Sequence, residues 1–168
     1  MPIIDILESI YSIASFIAAE TLDSWILDAA GEAYYPSLDD IAVASELREA
    51  ILGWIAAGPY PPPRSVETIN RASRSLPARI VIDAGGATTL EPAARSPLEQ
   101  ALTRVLIAVY EIVAAGLWPR LKICANPDCG RVFFDRSKNR SGRWCEMASC
   151  GNRLKARRHR ARKRTAGT

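Results

Sequence analysis

Residues Cys124–Arg153 read CANPDCGRVFFDRSKNRSGRWCEMASCGNR. All four cysteines of the chain fall in this stretch, as Cys124, Cys129, Cys145 and Cys150, in the pattern C-x4-C-x15-C-x4-C. Two pairs of equal spacing, joined by a loop able to bring them together, match what one tetrahedral metal site requires. Pro127 and Gly130 favour a turn at the first pair. Val132–Phe134 and Arg143–Cys145 are expected to be the arms of a β-hairpin, with Asp135–Gly142 as its polar loop. The second pair leads directly into a helical pattern. Four thiolates leave Zn²⁺ no open coordination position, so such a site is structural and not catalytic. The metal substitutes for a core, because beyond Val132, Phe133, Phe134, Trp144 and Leu154 the segment has little to bury. The competing readings are two disulfides, an iron–sulfur cluster or four unrelated cysteines. Matched pairs argue against chance, a cytoplasmic setting argues against disulfides, and the common iron–sulfur spacings use C-x2-C runs.

Immediately after Cys150 the sequence turns basic. Gly151–Arg164 reads GNRLKARRHRARKR, in which eight of fourteen residues are Lys or Arg. On a helix, Arg153, Arg157, Arg160 and Arg164 share one face, while Leu154 and Ala161 fall on the face nearest Cys150. Like charges at this density oppose an isolated helix, and a phosphate backbone removes that penalty. Arg131, Arg136, Lys138, Arg140 and Arg143 extend the positive surface over the hairpin. Lys155, Arg158, Arg162 and Lys163 complete it along the helix. Asn152 or Arg153, at the helix start, are placed to reach base edges, where Asn pairs with adenine and Arg with guanine. A basic run by itself also fits a solvated tail or a localisation signal. The lone histidine, His159, lies within this run and reads as solvated.

The rest of the chain has the opposite charge. Residues 1–119 carry 7 Lys/Arg against 15 Asp/Glu, and residues 120–168 carry 15 against 3. An acidic body therefore precedes a basic limb, and the expected domains are 1–119 and 120–168. No run reaches 18 uninterrupted apolar residues, and no Lys or Arg precedes Arg48. A membrane span and a secretory leader are both unexpected, and a cytoplasmic, nucleoid-associated protein is the expectation.

The body reads as helices with one hairpin. Ile3, Ile6, Ile10, Ile13 and Ile17 recur at helical spacing over 3–19, with Tyr11 on the adjoining stripe and Ser9 on the polar side. A second helix spans Leu22–Ala30 and stops at Gly31. Ser37 caps a third, Leu38–Ala57, with Asp39 and Asp40 in its first turn and Gly58 after its end. The prolines of Gly58–Arg64 impose extended chain. A short helix follows at Val66–Ser75. β-Branched residues flanking Gly85–Gly86 predict a hairpin within Ala78–Pro92. Ser96–Ala115 is apolar around most of its circumference, which predicts a central helix ended by Gly116. The fold class is thus mainly α, with a helical N-terminal domain and a small β-hairpin followed by a four-cysteine zinc finger made of knuckle, hairpin and basic helix. Trp25 and Trp54 read as core anchors. Asp39, Asp40, Glu46 and Glu49 read as solvated helix faces. With one histidine and no cysteine before Cys124, the body has little material for nucleophilic or metal catalysis, and no catalytic residue is expected.

At the residues Cys150-Gly151-Asn152-Arg153, together with Phe134-Asp135-Arg136-Ser137, Asn139-Arg140-Ser141 and Arg143-Trp144-Cys145, the chain resembles the CGNR zinc-finger family. The resemblance covers about residues 121–160. It implies structural Zn²⁺ on the four cysteines, DNA binding and a bacterial, intracellular setting. Fingers of this family usually follow a helical ABATE-like domain of stress-induced transcription regulators. Leu22–Gly31 and Glu46-Leu47-Arg48-Glu49-Ala50 are similar to its helical segments. The Asn-Thr pair that often opens such domains is missing near this N-terminus. The expected function is a DNA-binding transcription regulator whose helical domain dimerises as a homodimer or senses a small-molecule effector. The alternative is an RNA-binding or ribosome-associated zinc protein, and an enzyme with an accessory finger ranks third.

Overall fold

The structure is a computed structural model and describes residues 3–19, 22–31, 33–153 and 155–157, with side chains from Glu8 onward. It divides into two compact units, Met1–Pro119 and Arg120–Thr168. Among the described residues the first holds α1 (Ile3–Ala18), α2 (Leu22–Ala30), α3 (Leu38–Ala57), α4 (Pro63–Ser73), the antiparallel strands β1 (Ala78–Ile82) and β2 (Thr88–Pro92), and α5 (Pro97–Ala114). The second holds the antiparallel strands β3 (Leu121–Ile123) and β4 (Val132–Phe134), a π-helical turn at Met147–Gly151, and helical backbone at 152–153 and 155–157. The architecture is mainly helical with two small hairpins, of which the β1–β2 hairpin lies where turn chemistry predicts it.

Two capping boxes set the frame of the first unit. The Ser37 hydroxyl accepts from Asp40 N–H, and the Asp40 carboxylate accepts from Ser37 N–H in return. Ser96 and Glu99 repeat the arrangement at the start of α5. Reciprocal caps satisfy two of the orphan N–H groups at each helix start. Helix α5 is central and packs against α1, α2 and β2. Its inner face consists of Leu98, Ala101, Leu102, Val105, Ala108, Val109 and Ile112, all buried. Ile13 and Phe16 of α1, Ile26 of α2, and Leu47 and Ile51 of α3 are fully buried. Each such side chain stabilises the fold by roughly 1.5–3 kcal/mol before chain entropy is set against it. Trp25 is buried with its ring 4.7 Å from that of Phe16. Trp54 is only half-buried and stacks on Trp118 at 4.1 Å.

Three expectations for this unit are corrected. The buried stripe of α1 runs through Ser9, Ile13 and Phe16, whereas Tyr11 is 73% exposed. Ser9 turns inward because its hydroxyl donates to the Glu111 carboxylate on α5, a partner 102 residues away that periodicity cannot supply. The Ile3 and Ile6 side chains lie outside the described residues. Helix α4 begins at Pro63, inside the stretch expected to be extended. Proline is tolerated there because the first helical N–H has no intrahelical partner to lose. Asp40 and Glu46 are not merely solvated: Asp40 also accepts from the Tyr34 hydroxyl at 2.9 Å, and Glu46 pairs with Arg71 of α4.

Candidate metal centre

Strand β4 pairs with β3, in the register Leu121↔Phe134, Lys122↔Phe133 and Ile123↔Val132. The expected partner, Arg143–Cys145, is not a strand. The short connection favours the observed pairing, since only eight residues separate Ile123 from Val132 and they fold as the knuckle. Cys124 N–H donates to Arg131 C=O at 2.9 Å and prolongs the ladder into the turn. Gly130, at φ +61°, supplies the left-handed residue that closes it. Within the turn, Asn126 C=O accepts from Cys129 N–H at 3.0 Å, which curls both cysteines towards one side. Arg143 remains attached through its carbonyl, which accepts from Ala125 N–H at 2.7 Å and brings the second pair beside the first. Glu146 C=O then accepts from Cys150 N–H and Gly151 N–H, forming the tight turn that presents Cys145 and Cys150.

The four Sγ atoms lie within 4.8 Å of one another. Cys129 and Cys145 sulfurs are 3.7 Å apart, and Cys145 and Cys150 sulfurs 3.8 Å. A tetrahedron with sulfurs about 2.3 Å from a central zinc has edges of about 3.8 Å, so these separations fit that ion. Disulfide bonding does not fit, since bonded sulfurs stand about 2.05 Å apart. Cys124 and Cys150 are buried, and Cys129 and Cys145 are half-buried. The thiols differ electrostatically. Burial, with hydrogen bonds shared with Cys129 and Cys150, pushes Cys145 up. The Asn126 amide, 3.5 Å from the Cys150 sulfur, pulls Cys150 down by donating to its thiolate form. Asn126 is itself buried, and an N–H donor to a coordinating sulfur also orients that ligand.

Asp135 organises the loop that follows β4. Its carboxylate accepts from Ser137 N–H at 2.9 Å, Gly142 N–H at 2.8 Å and the Lys122 ammonium at 2.6 Å. Burial alone would raise this carboxyl, but the bonds from Lys122, Ser137 and Gly142 outweigh it and hold it far below the usual carboxylate range. Lys122 further donates to Arg140 C=O and Gly142 C=O, and the Arg120 guanidinium donates to Asp135 C=O and Ser137 C=O. The segment 136–142 is thereby pinned at both ends, and its side chains Arg136, Lys138 and Arg140 point to solvent.

Every described member of the expected cationic surface is exposed: Arg131, Arg136, Lys138, Arg140, Arg143, Arg153, Lys155 and Arg157, with Asn152 beside them. Arg143 also stacks over Trp144, 5.7 Å from the ring centroid. Arg157 pairs with Asp128 of the knuckle at 3.0 Å, tying the helical segment to the turn between the first two cysteines. Arg158, Arg160, Arg162, Lys163 and Arg164, with Leu154, His159 and Ala161, lie outside the described residues. Sequence reasoning missed Asn126, Asp128, Lys122 and Asp135. Asp135 leaves a local trace, as an Asp directly after a strand with Ser two residues on is an Asx-turn pattern. Lys122 leaves none, because its partners lie 13 to 20 residues away. Leu121, 2% exposed, was also missing from the expected core of this unit, whereas Phe133, Phe134 and Trp144 are only half-buried.

Residues 120–163 match the CGNR zinc finger family. The match spans about a quarter of the chain and describes the second unit alone. No curated protein matches the chain. No helix among the described residues is long and apolar enough to cross a membrane.

Proposed function

We propose that the chain is a DNA-binding transcription regulator in which Cys124, Cys129, Cys145 and Cys150 hold a structural Zn²⁺ and the surface around them grips phosphates. The observation that carries the reading is the convergence of four sulfurs at the start of a helical segment bearing exposed Asn152, Arg153, Lys155 and Arg157. Bound zinc would lock the knuckle to the turn at Met147–Gly151, so the cations on either side would be presented together and not as independent tails. Arg136, Lys138 and Arg140 would add phosphate contacts from a loop whose ordering is already met by Asp135, which lowers the entropic cost of binding. The helical unit, read as ABATE-like, would sense a small molecule or pair two copies so that two fingers share one site.

Titration of a duplex by gel shift across a salt series tests this with the zinc-loaded protein. If about six to ten phosphates are neutralised, affinity falls about 10³- to 10⁵-fold between 50 and 200 mM salt. Binding that is absent, or flat with salt, overturns the reading. A structured RNA that outcompetes duplex DNA reassigns the same surface to RNA.

A further inference from the structure

The four cysteines of the metal centre are not equally accessible. A cavity of about 380 Å³ is bordered by Cys129, Cys145 and Cys150. Cys129 and Cys145 are half-buried, whereas Cys150 is 6% exposed. Cys124 is buried and does not border the cavity. In the lining Arg131 and Arg153 are offset by Asp128 and Glu146, so no net charge selects for an ion. A water molecule takes up about 30 Å³, so a neutral molecule of similar size has room to reach these cysteines.

Separation and hydrogen bonding single out the same two residues. The Cys129 and Cys145 sulfurs are 3.7 Å apart and come one from each pair, so a bond between them would join the knuckle to the turn at Met147–Gly151. The Cys145 and Cys150 sulfurs are nearly as close, at 3.8 Å. Cys150, however, accepts from the Asn126 amide at 3.5 Å. Asn126 is 4% exposed, and its side-chain oxygen accepts from Asp128 N–H at 3.3 Å, which fixes the direction of the amide. A thiolate stabilised by a donated hydrogen bond is a weaker nucleophile. Cys150 is therefore shielded by burial and damped by Asn126, while Cys129 and Cys145 are neither.

We propose that Cys129 and Cys145 are a peroxide-reactive pair whose oxidation to a disulfide releases the zinc. The Cys129 thiolate attacks one oxygen of hydrogen peroxide, the O–O bond breaks, and a sulfenic acid and hydroxide result. The Cys145 thiolate then attacks the Cys129 sulfur, an S–S bond replaces the S–O bond, and a second hydroxide leaves. The two thiolates together lose the two electrons that the peroxide gains. Thiolates are the metal ligands, so zinc keeps only Cys124 and Cys150 and dissociates. The inference rests on the four-cysteine zinc site proposed above and not on DNA binding.

The test titrates hydrogen peroxide, below one equivalent, into the full zinc-loaded chain. Zinc content is measured before oxidant is added. Zinc release is then followed with a chromogenic chelator, and cross-links are mapped in alkylated, unreduced digests. Zinc and the thiols of one pair are expected to disappear together, with Cys129–Cys145 as the first disulfide. Dithiothreitol with added Zn²⁺ should restore the site. Asn126→Ala frees Cys150 from its donor and should raise its share of the early cross-links about threefold. Met147, 45% exposed, is a second peroxide target, and its sulfoxide is scored separately by mass. The proposal is overturned if zinc stays bound at peroxide levels that oxidise glutathione alongside. It is equally overturned if the first disulfide contains Cys124 or Cys150, or if zinc leaves with all four thiols free and Met147 oxidised. A chain that never loads zinc overturns the metal site as well, whereas loaded zinc with the wrong oxidation overturns this inference alone.

Discussion

Gly142 and Gly130 are two glycines of the second unit with opposite tolerances. A Cβ on Gly142 would lie 2.5 Å from Asp135 Oδ1, against a carboxylate already held by Lys122, Ser137 and Gly142 itself. Gly130 has φ +61° but a Cβ there meets nothing within 4 Å. Gly142→Ala should therefore cost about 1–3 kcal/mol by overpacking and loosen the loop bearing Arg136, Lys138 and Arg140. Gly130→Asn should cost less than about 1 kcal/mol, because Asn enters the left-handed region readily. Competition with a chelator reads both, with thiol reactivity reporting metal loss: Gly142→Ala should release zinc at lower chelator and Gly130→Asn close to wild type. Equal release by the two variants would show that the Asp135 network does not support the metal centre.

At the level of elements, the capping box of α3 gives a stability term with a definite pH window. Ser37→Ala removes the acceptor for Asp40 N–H and should cost about 1 kcal/mol. The Asp40 carboxyl is held below its ordinary value, chiefly by Ser37 N–H, with burial opposing and the Ser37 and Tyr34 hydroxyls assisting. A lowered folded pKa means the contribution is complete above the unfolded value of about 4 and disappears as pH falls through the folded one. The Tm gap between wild type and Asp40→Asn should accordingly shrink as pH drops from about 5 towards 3. A gap independent of pH would exclude the charged cap. Caps of this kind are legible in sequence, as are helix ends at Gly31 and Gly58 and the hairpin around Gly85–Gly86, because their signals sit within a few residues. The four cysteines were legible for the same reason: two local pairs declare one site. What escaped depends on distant partners. Ser9 facing Glu111, Lys122 facing Asp135, and β4 pairing with β3 and not with Arg143–Cys145 are decided by tertiary contact, and local pattern is silent on it. The placement of Arg48 over the Phe16 ring is likewise invisible until α1 and α3 meet.

For the whole molecule, two units of unlike stabilisation share one chain. Met1–Pro119 has a broad apolar core built on α1, α3 and α5 and carries the acidic balance. In Arg120–Thr168 the buried apolar side chains among the described residues are few, with Leu121 and Val132 foremost, and 15 basic residues meet 3 acidic ones. Such a segment has little hydrophobic burial to set against chain entropy and against its own repulsion, so metal ligation must supply the difference, about 10 kcal/mol or more for a structural zinc. Removing the ion should then act on one unit only. A strong chelator at neutral pH is expected to expose all four thiols to a modifying reagent and, on the DNA-binding reading proposed above, to abolish duplex affinity, while the cooperative thermal transition of the helical unit survives with its Tm within about 3 °C of the loaded protein. Restoring Zn²⁺ under reducing conditions should restore thiol protection and binding together. Thiols that stay protected in the stripped chain would show that the second unit holds itself together without metal. A helical transition lost along with the ion would show that the two units do not fold independently.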